Sequence, residues 1–288
     1  MAVEAFQAAA LRDGRSIPAR YFLAEQYLRS GDAARGLKEI AVLARMVPNG
    51  VDSLGPYIAA YAKDPRARSQ MLALFRSDPQ IEQAALVAMS ADAANADLML
   101  SLASPSAKSP VWAPRLLESL VGAGKYDKAR AIWARLSHVA AGSNDFVYDP
   151  DFKRAGPPAP FNWTLTSSAV GLAERQPGGR LHVVFYGQDD GTLASQTLVL
   201  KPGRYRLAMR VSGDLAHARS LSWTVRCQSA DGALLSLPLS AASPSASFEV
   251  PAGCAGQKLE LVGRAPDLPQ QVDATISTLS LTREGTDG

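Results

Sequence analysis

The chain has 288 residues, 47% of them hydrophobic and 20% charged, the make-up of an ordinary folded protein longer than one typical domain. Lys and Arg outnumber Asp and Glu by 17 to 13 over residues 1–143 and stand at 13 to 14 over 144–288, so neither half is the polycation that broad nucleic-acid binding requires. No run approaches the roughly 18 apolar residues of a membrane span, and the opening MAVEAFQAAALRDGRSIPAR lacks the basic and apolar regions of an export signal, with Glu4 in the way; a membrane link needs an anchor upstream of Met1.

Residues 20–48 carry Leu23, Ala24, Tyr27 and Leu28, then Gly31-Asp32, then Leu37, Ile40, Ala41, Leu43 and Ala44. The spacing predicts two amphipathic helices joined by a short turn, with Gly31 free to take positive φ, Asp32 placed to cap the second helix, and Pro48 to end it. This order resembles the tetratricopeptide repeat, and Gly36 stands where that family places Ala, which implies weaker packing there. A second copy spans PVWAPRLLESLVGAGKYDKARAIWARL, with Leu116, Leu117 and Leu120 before Gly124 and Ala129, Ile132, Trp133 and Leu136 after it. The helical stretches between read as degenerate repeats; an irregular helical bundle is the alternative.

Near residue 140 the pattern gives way to AAGSNDFVYDPDFKRAGPPAPFNW, dense in Gly, Pro, Asn and Asp. Residues 1–140 are therefore expected as a helical domain, 141–160 as a linker and first-strand entry, and 161–288 as a β domain. Short alternating runs follow: LHVVFYG, QTLVLKPG, YRLAMRVSG, LSWTVRCQ, SFEVPAG, KLELVG and TISTLSLT. They predict a sandwich or barrel. Within QTLVLKPGRYRLAMRVSG a hairpin is expected around Lys201-Pro202-Gly203-Arg204. Leu198, Leu200, Tyr205, Leu207, Met209 and Val211 then face the core, and Arg204, Arg206 and Arg210 the opposite side.

DPDF (149–152) with FNW (161–163), the run 196–213 and VDATISTLSLT (272–282) together resemble the jelly-roll carbohydrate-binding modules. The fold class expected is thus α+β multidomain: an N-terminal tetratricopeptide-like α-helical repeat plus a C-terminal antiparallel β-sandwich of jelly-roll type. The resemblance implies a glycan ligand and leaves its identity open.

Sugar stacking needs an exposed aromatic face, for which Trp163 and Tyr186 are the candidates; a Trp in the place of Trp163 is more often a core anchor of the first strand, and Trp223 looks inward. Arg204, Arg206, Arg210 and Arg226 are candidates to face an anionic polysaccharide or acidic partner, the alternative being a solvated sheet face. Asp149, Asp151 and Asp273 are candidate ligands for a structural Ca²⁺, with turn-forming Asp as the other reading; no other cofactor is expected. Cys227 and Cys254 fall at strand edges of one domain. Their pairing as a disulfide would suit an oxidising, extracytoplasmic compartment such as the periplasm, whereas two buried thiols would suit the cytoplasm. His138, His182 and His217 are scattered, with no metal-ligand spacing, nucleophile elbow or phosphate loop, so no enzyme is expected.

The reading is a non-catalytic, envelope-associated adaptor: the helical repeats bind a protein partner, and the sandwich binds a glycan in polysaccharide assembly or export. The alternative is a structural protein–protein interaction module whose sandwich binds protein or caps the helical array, with no glycan.

Overall fold

The computed structural model describes residues 2–104, 110–139, 146–154 and 156–285. Residue 140 and part of the expected linker, 141–145 and 155, lie outside the described residues. The chain divides into two compact units, Met1–Ser119 and Leu120–Gly288.

Nine α-helices are found among the described residues: α1 (Ala2–Arg12), α2 (Ile17–Arg29), α3 (Ala33–Met46), α4 (Gly50–Ala62), α5 (Arg68–Ser77), α6 (Pro79–Met89), α7 (Ala96–Leu102), α8 (Ala113–Gly122) and α9 (Tyr126–Leu136). The α2–α3 turn forms as the residues dictate. Gly31 takes φ +80°, and Asp32 caps α3 by accepting the Arg35 amide at 3.2 Å. Besides packing on their chain neighbours, α3 lies against α5, α4 against α6, and α5 against α7. Two glycines permit close approach. A Cβ on Gly36 would come within 2.7 Å of the Leu28 side chain, and one on Gly55 within 2.9 Å of the Ala84 carbonyl oxygen. The Gly36 expectation is thereby reversed, because the missing methyl lets α3 settle on Leu28 rather than weakening the contact.

The helical pattern continues to Leu136, as expected, but the boundary between the two units falls inside α8, and α9 belongs with the sandwich. Trp133, fully buried, donates its indole N–H to the Pro158 carbonyl at 2.7 Å and packs edge-on against Tyr148 at 5.0 Å. Arg130 lies 4.6 Å over the Trp133 ring, and burial pushes its guanidinium pKa down.

Ten strands are found among the described residues: β1 (Thr164–Leu165), β2 (Gly171–Gln176), β3 (Arg180–Phe185), β4 (Gly191–Leu198), β5 (Gly203–Gly213), β6 (Leu221–Cys227), β7 (Ala233–Pro238), β8 (Ser245–Val250), β9 (Gln257–Gly263) and β10 (Val272–Arg283). They form an antiparallel sandwich of two five-stranded sheets, the first ordered β1-β4-β9-β6-β7 and the second β2-β3-β10-β5-β8. Between the sheets lies a core holding Phe152, Trp163, Phe185, Tyr205, Trp223 and Phe248, with Trp163 and Trp223 5.6 Å apart.

The expected inward set, Leu198 to Val211, is buried in this core. The expected hairpin is not formed. β4 belongs to the first sheet and β5 to the second, so Lys201-Pro202-Gly203 carries the chain from one sheet to the other. Gln257 holds this crossing by accepting the Leu200 amide at 2.8 Å. Strands β1, β2 and β7 were not among the expected runs.

Candidate functional site

The outer face of the second sheet is built by simple alternation. Odd-numbered residues of β5 (Tyr205, Leu207, Met209, Val211) fill the core, which turns Arg204, Arg206, Ala208, Arg210 and Ser212 outward. On β10 the outward hydroxyls of Thr275, Ser277, Ser280 and Thr282 form a column beside them. A bulge between Ser277 and Ser280 leaves Thr278 exposed at φ +50°, a conformation rarely taken by a β-branched residue. On the other side β8 sets Ser245 opposite Ala208 and Ser247 opposite Arg206.

The three arginines on this face differ in their partners. Arg204 pairs with Glu284 at 2.8 Å, and Glu284 also accepts the Ser247 hydroxyl at 2.7 Å. Arg206 donates to the Ser245 hydroxyl at 2.8 Å. The Arg210 side chain is exposed and has no ion pair or hydrogen bond among the described residues. Arg226 does not join them: it sits on β6 in the first sheet, where it and Lys258 close over Glu260, whose side chain is only 3% exposed. A buried carboxylate needs such partners, so these cations are committed to it.

Towards β2 and β3 the same face changes character. Leu172 and Val184 stand opposite each other, pointing outward, and Tyr186, 39% exposed, continues the β3 column past the strand end. Beside them His182 faces Glu174 on β2 at 3.3 Å through Nδ1 and Asp273 on β10 at 3.1 Å through Nε2. Sequence reading found His182 and Asp273 separately and missed their association, because 91 residues separate them.

The remaining candidates are placed as follows. Trp163 is 5% exposed, donates its indole N–H to the Asp149 carbonyl at 2.9 Å, and packs on Phe152 and Trp223. A sugar ring has no access to it, which removes Trp163 as a stacking platform.

The proposed Ca²⁺ ligands do not converge. Asp149 accepts the amides of Lys153 and Arg154 at 2.7 and 2.9 Å and pairs with Arg175 at 3.3 Å. Asp151 pairs with Lys153, and Asp273 faces His182 across the second sheet. Among the described residues no group of three or more acidic, His or Cys side chains is arranged to hold a metal ion. Asp149 and Asp151 instead shape the entry segment. Burial pushes the Asp149 carboxyl pKa up, against the pull of the two amides and Arg175. Gln196 ties down the same segment, accepting the Tyr148 amide at 2.8 Å and donating to the Tyr148 carbonyl at 2.9 Å.

Cys227, at the end of β6, and Cys254, before β9, form a disulfide with Cα atoms 5.6 Å apart. His217 faces Asp214 at 2.7 Å, and hydrogen bonding to the imidazole draws the Asp214 carboxyl pKa down. In the helical unit, one cleft of 470 Å³ between α3 and α5 is lined by residues that include Leu37, Ala41, Arg45, Ala73 and Leu74, and another of 700 Å³ between α4 and α6 by residues that include Val51, Pro56, Ala84 and Val87. Among the described residues no helix is long and apolar enough to cross a membrane.

No family model matches this chain, and no curated protein matches it. Solved structures with similar chains include accessory secretory protein 1,2 and 3 in Streptococcus pneumoniae, with 10% identity and TM-score 0.32, covering 42% of this chain and 90% of that one. TmCBM61 in complex with beta-1,4-galactotriose aligns at 15% identity and TM-score 0.33, covering 49% of this chain and 100% of that one. A structure described as "CBM4 structure and function" aligns at 12% identity and TM-score 0.34, covering 48% and 99%. Likenesses this distant carry no functional assignment to this chain.

Proposed function

We propose that this chain is a non-catalytic adaptor of the cell envelope, with a tetratricopeptide-like helical unit that holds a protein partner and a sandwich that holds a glycan on the outer face of its second sheet. One observation carries the glycan half. The outward side chains of that sheet set hydroxyls of β8 and β10 beside the arginines of β5, and one open aromatic, Tyr186, lies past the end of β3 on the same face, whereas the outward cations Arg226 and Lys258 of the first sheet close over Glu260. Polar groups that orient hydroxyls, next to an aromatic face, are the elements of sugar recognition.

The clefts between alternate helices, lined by apolar residues such as Leu37, Ala41, Leu74, Val51 and Val87 together with polar ones, support a protein partner for the helical unit, since grooves of this make-up take a helix or extended segment. Export is supported by the Cys227–Cys254 disulfide, which persists in oxidising compartments. The non-catalytic reading rests on the sequence, which carries no metal-ligand spacing, nucleophile elbow or phosphate loop.

Affinity-gel electrophoresis of the full chain through a panel of polysaccharides tests this reading. Retention by at least one polysaccharide, weakened in Tyr186→Ala without a change in melting temperature, is the expected result. Passage unretarded through every gel would remove the glycan half and leave a protein–protein module.

A further inference from the structure

Within the proposed glycan-binding face, a block of eight outward residues on three neighbouring strands has a particular chemistry. Its centre is Ala208 on β5, flanked along the strand by Arg206 and Arg210. Across the sheet Ala208 stands opposite Ser245 on β8 and Ser280 on β10; Thr282 and Ser247 stand opposite Arg206, and Ser277 opposite Arg210. Alternate residues on a strand are roughly 7 Å apart, so the two guanidinium groups rise from either side of a methyl that leaves the sheet low between them.

Arg206 already leans towards this centre, since the hydroxyl it reaches at 2.8 Å belongs to Ser245, the cross-strand neighbour of Ala208. Ser280 closes the other side, its hydroxyl within 3.4 Å of the Ala208 carbonyl. The block contains two cations and no carboxylate. The acids of the same face border it: Glu284 pairs with Arg204 and accepts the Ser247 hydroxyl, Glu249 stands exposed on β8 opposite Arg204, and Glu174 and Asp273 face His182.

We propose that this block is a subsite for an anionic group of a polysaccharide, held over Ala208 by Arg206 and Arg210 and by the hydroxyls of Ser245 and Ser280. The proposal rests on the glycan reading and sharpens it. Planar guanidinium groups donate paired charge-assisted hydrogen bonds to carboxylate, sulfate and phosphate oxygens alike. Neutral sugar hydroxyls gain nothing comparable from an unpaired Arg210. Glu174 and Asp273 towards β2 and β3, and Glu249 and Glu284 beside Arg204, repel the same anion, which places the charged group between them over Ala208. A polysaccharide is favoured over an acidic protein because the block is shallow and lined by hydroxyls, whereas protein anchors fill apolar pockets.

The test is affinity-gel electrophoresis of the full chain at low salt through a polyuronate, a sulfated dextran, a phosphomannan and neutral dextran, with poly-glutamate as a competitor. Arg210→Gln, Ala208→Leu and Arg204→Gln are compared with the native chain, each first checked for an unchanged melting curve. One anionic polymer should be retained most strongly, identifying the anion. Retention should fall roughly tenfold in Arg210→Gln, fall similarly in Ala208→Leu, which fills the dip, change little in Arg204→Gln, and weaken with salt. Retention by neutral dextran equal to the anionic polymers, or insensitivity to Arg210→Gln, would overturn this subsite while leaving the glycan reading in place. Poly-glutamate competing as well as the polysaccharide would overturn the choice of ligand. No retention by any polymer would overturn both readings.

Discussion

Replacing Cys227 and Cys254 together with alanine should lower the stability of the sandwich by about 3.5 kcal/mol. The bridge spans 27 positions of the chain, and closing a loop of that length in the unfolded state removes about 12 cal/mol/K of entropy, hence that figure at 25 °C. The loop runs out through β7 in the first sheet and β8 in the second before returning to β9, so the unfolded chain loses the freedom of two strands that fold into different layers. Alanine is preferred to serine because both cysteines are buried, and a hydroxyl left there would add its own penalty. For a unit of this size the loss corresponds to roughly 7–14 °C in melting temperature. Near-ultraviolet circular dichroism is the appropriate assay, since Trp163 and Trp223 pack against each other in the sandwich core. Native protein melted with a reductant should follow the variant. Identical melts with and without reductant, together with two thiols titrated under denaturing, non-reducing conditions, would refute the bridge and remove the support for an oxidising compartment.

Gly55→Ala sets helix propensity against packing: propensity alone predicts a gain of about 1 kcal/mol, whereas the new Cβ would meet the Ala84 carbonyl oxygen at 2.9 Å. A loss of about 1–3 kcal/mol in urea denaturation followed at 222 nm is expected, and a gain would show that α4 and α6 can separate freely. Trp133→Ala should cost about 3–5 kcal/mol, because it empties the contact of α9 with Tyr148 and Phe161 and leaves the Pro158 carbonyl without its donor; a loss below about 1 kcal/mol in the same measurement would contradict the docking of α9 on the sandwich. The raised pKa of Asp149 means that the folded chain holds this proton more tightly than the unfolded chain, so its contribution to stability is lost as pH rises through the folded value and recovered on acidification. The stability difference between native chain and Asp149→Asn should therefore move in favour of the native chain between pH 7 and pH 4. Movement the other way would mean that Arg175 and the two amides outweigh burial.

Local pattern accounts for much of the architecture. The spacing of Leu23, Tyr27, Leu37 and Ile40 placed α2 and α3, and the alternation from Tyr205 to Val211 placed the inward and outward residues of β5, because both periodicities are properties of a few consecutive residues. The Cys227–Cys254 pairing was also within reach, since only two cysteines exist. β2 escaped notice because Glu174, Arg175 and Gln176 blunt its apolar alternation, and β1 is only two residues long.

What local pattern does not contain is which strand lies beside which. A strand followed by Lys-Pro-Gly and another strand reads as a hairpin, yet β4 and β5 enter different sheets because their ladder partners, β9 and β10, lie far along the chain. The same distance in sequence hid the meeting of His182 with Asp273, the closure of Arg226 and Lys258 over Glu260, and the placing of Ser245 and Ser280 around Ala208. Trp163 followed a different logic: its residue type suited either a sugar or a core, and only the packing of Phe152 and Trp223 against it decided for the core. The residue sequence thus determined the two-part division into helices and strands and the faces each strand presents. The tertiary structure decided which of those faces stay open, because burial and cross-strand pairing depend on residues that meet only once the chain has folded.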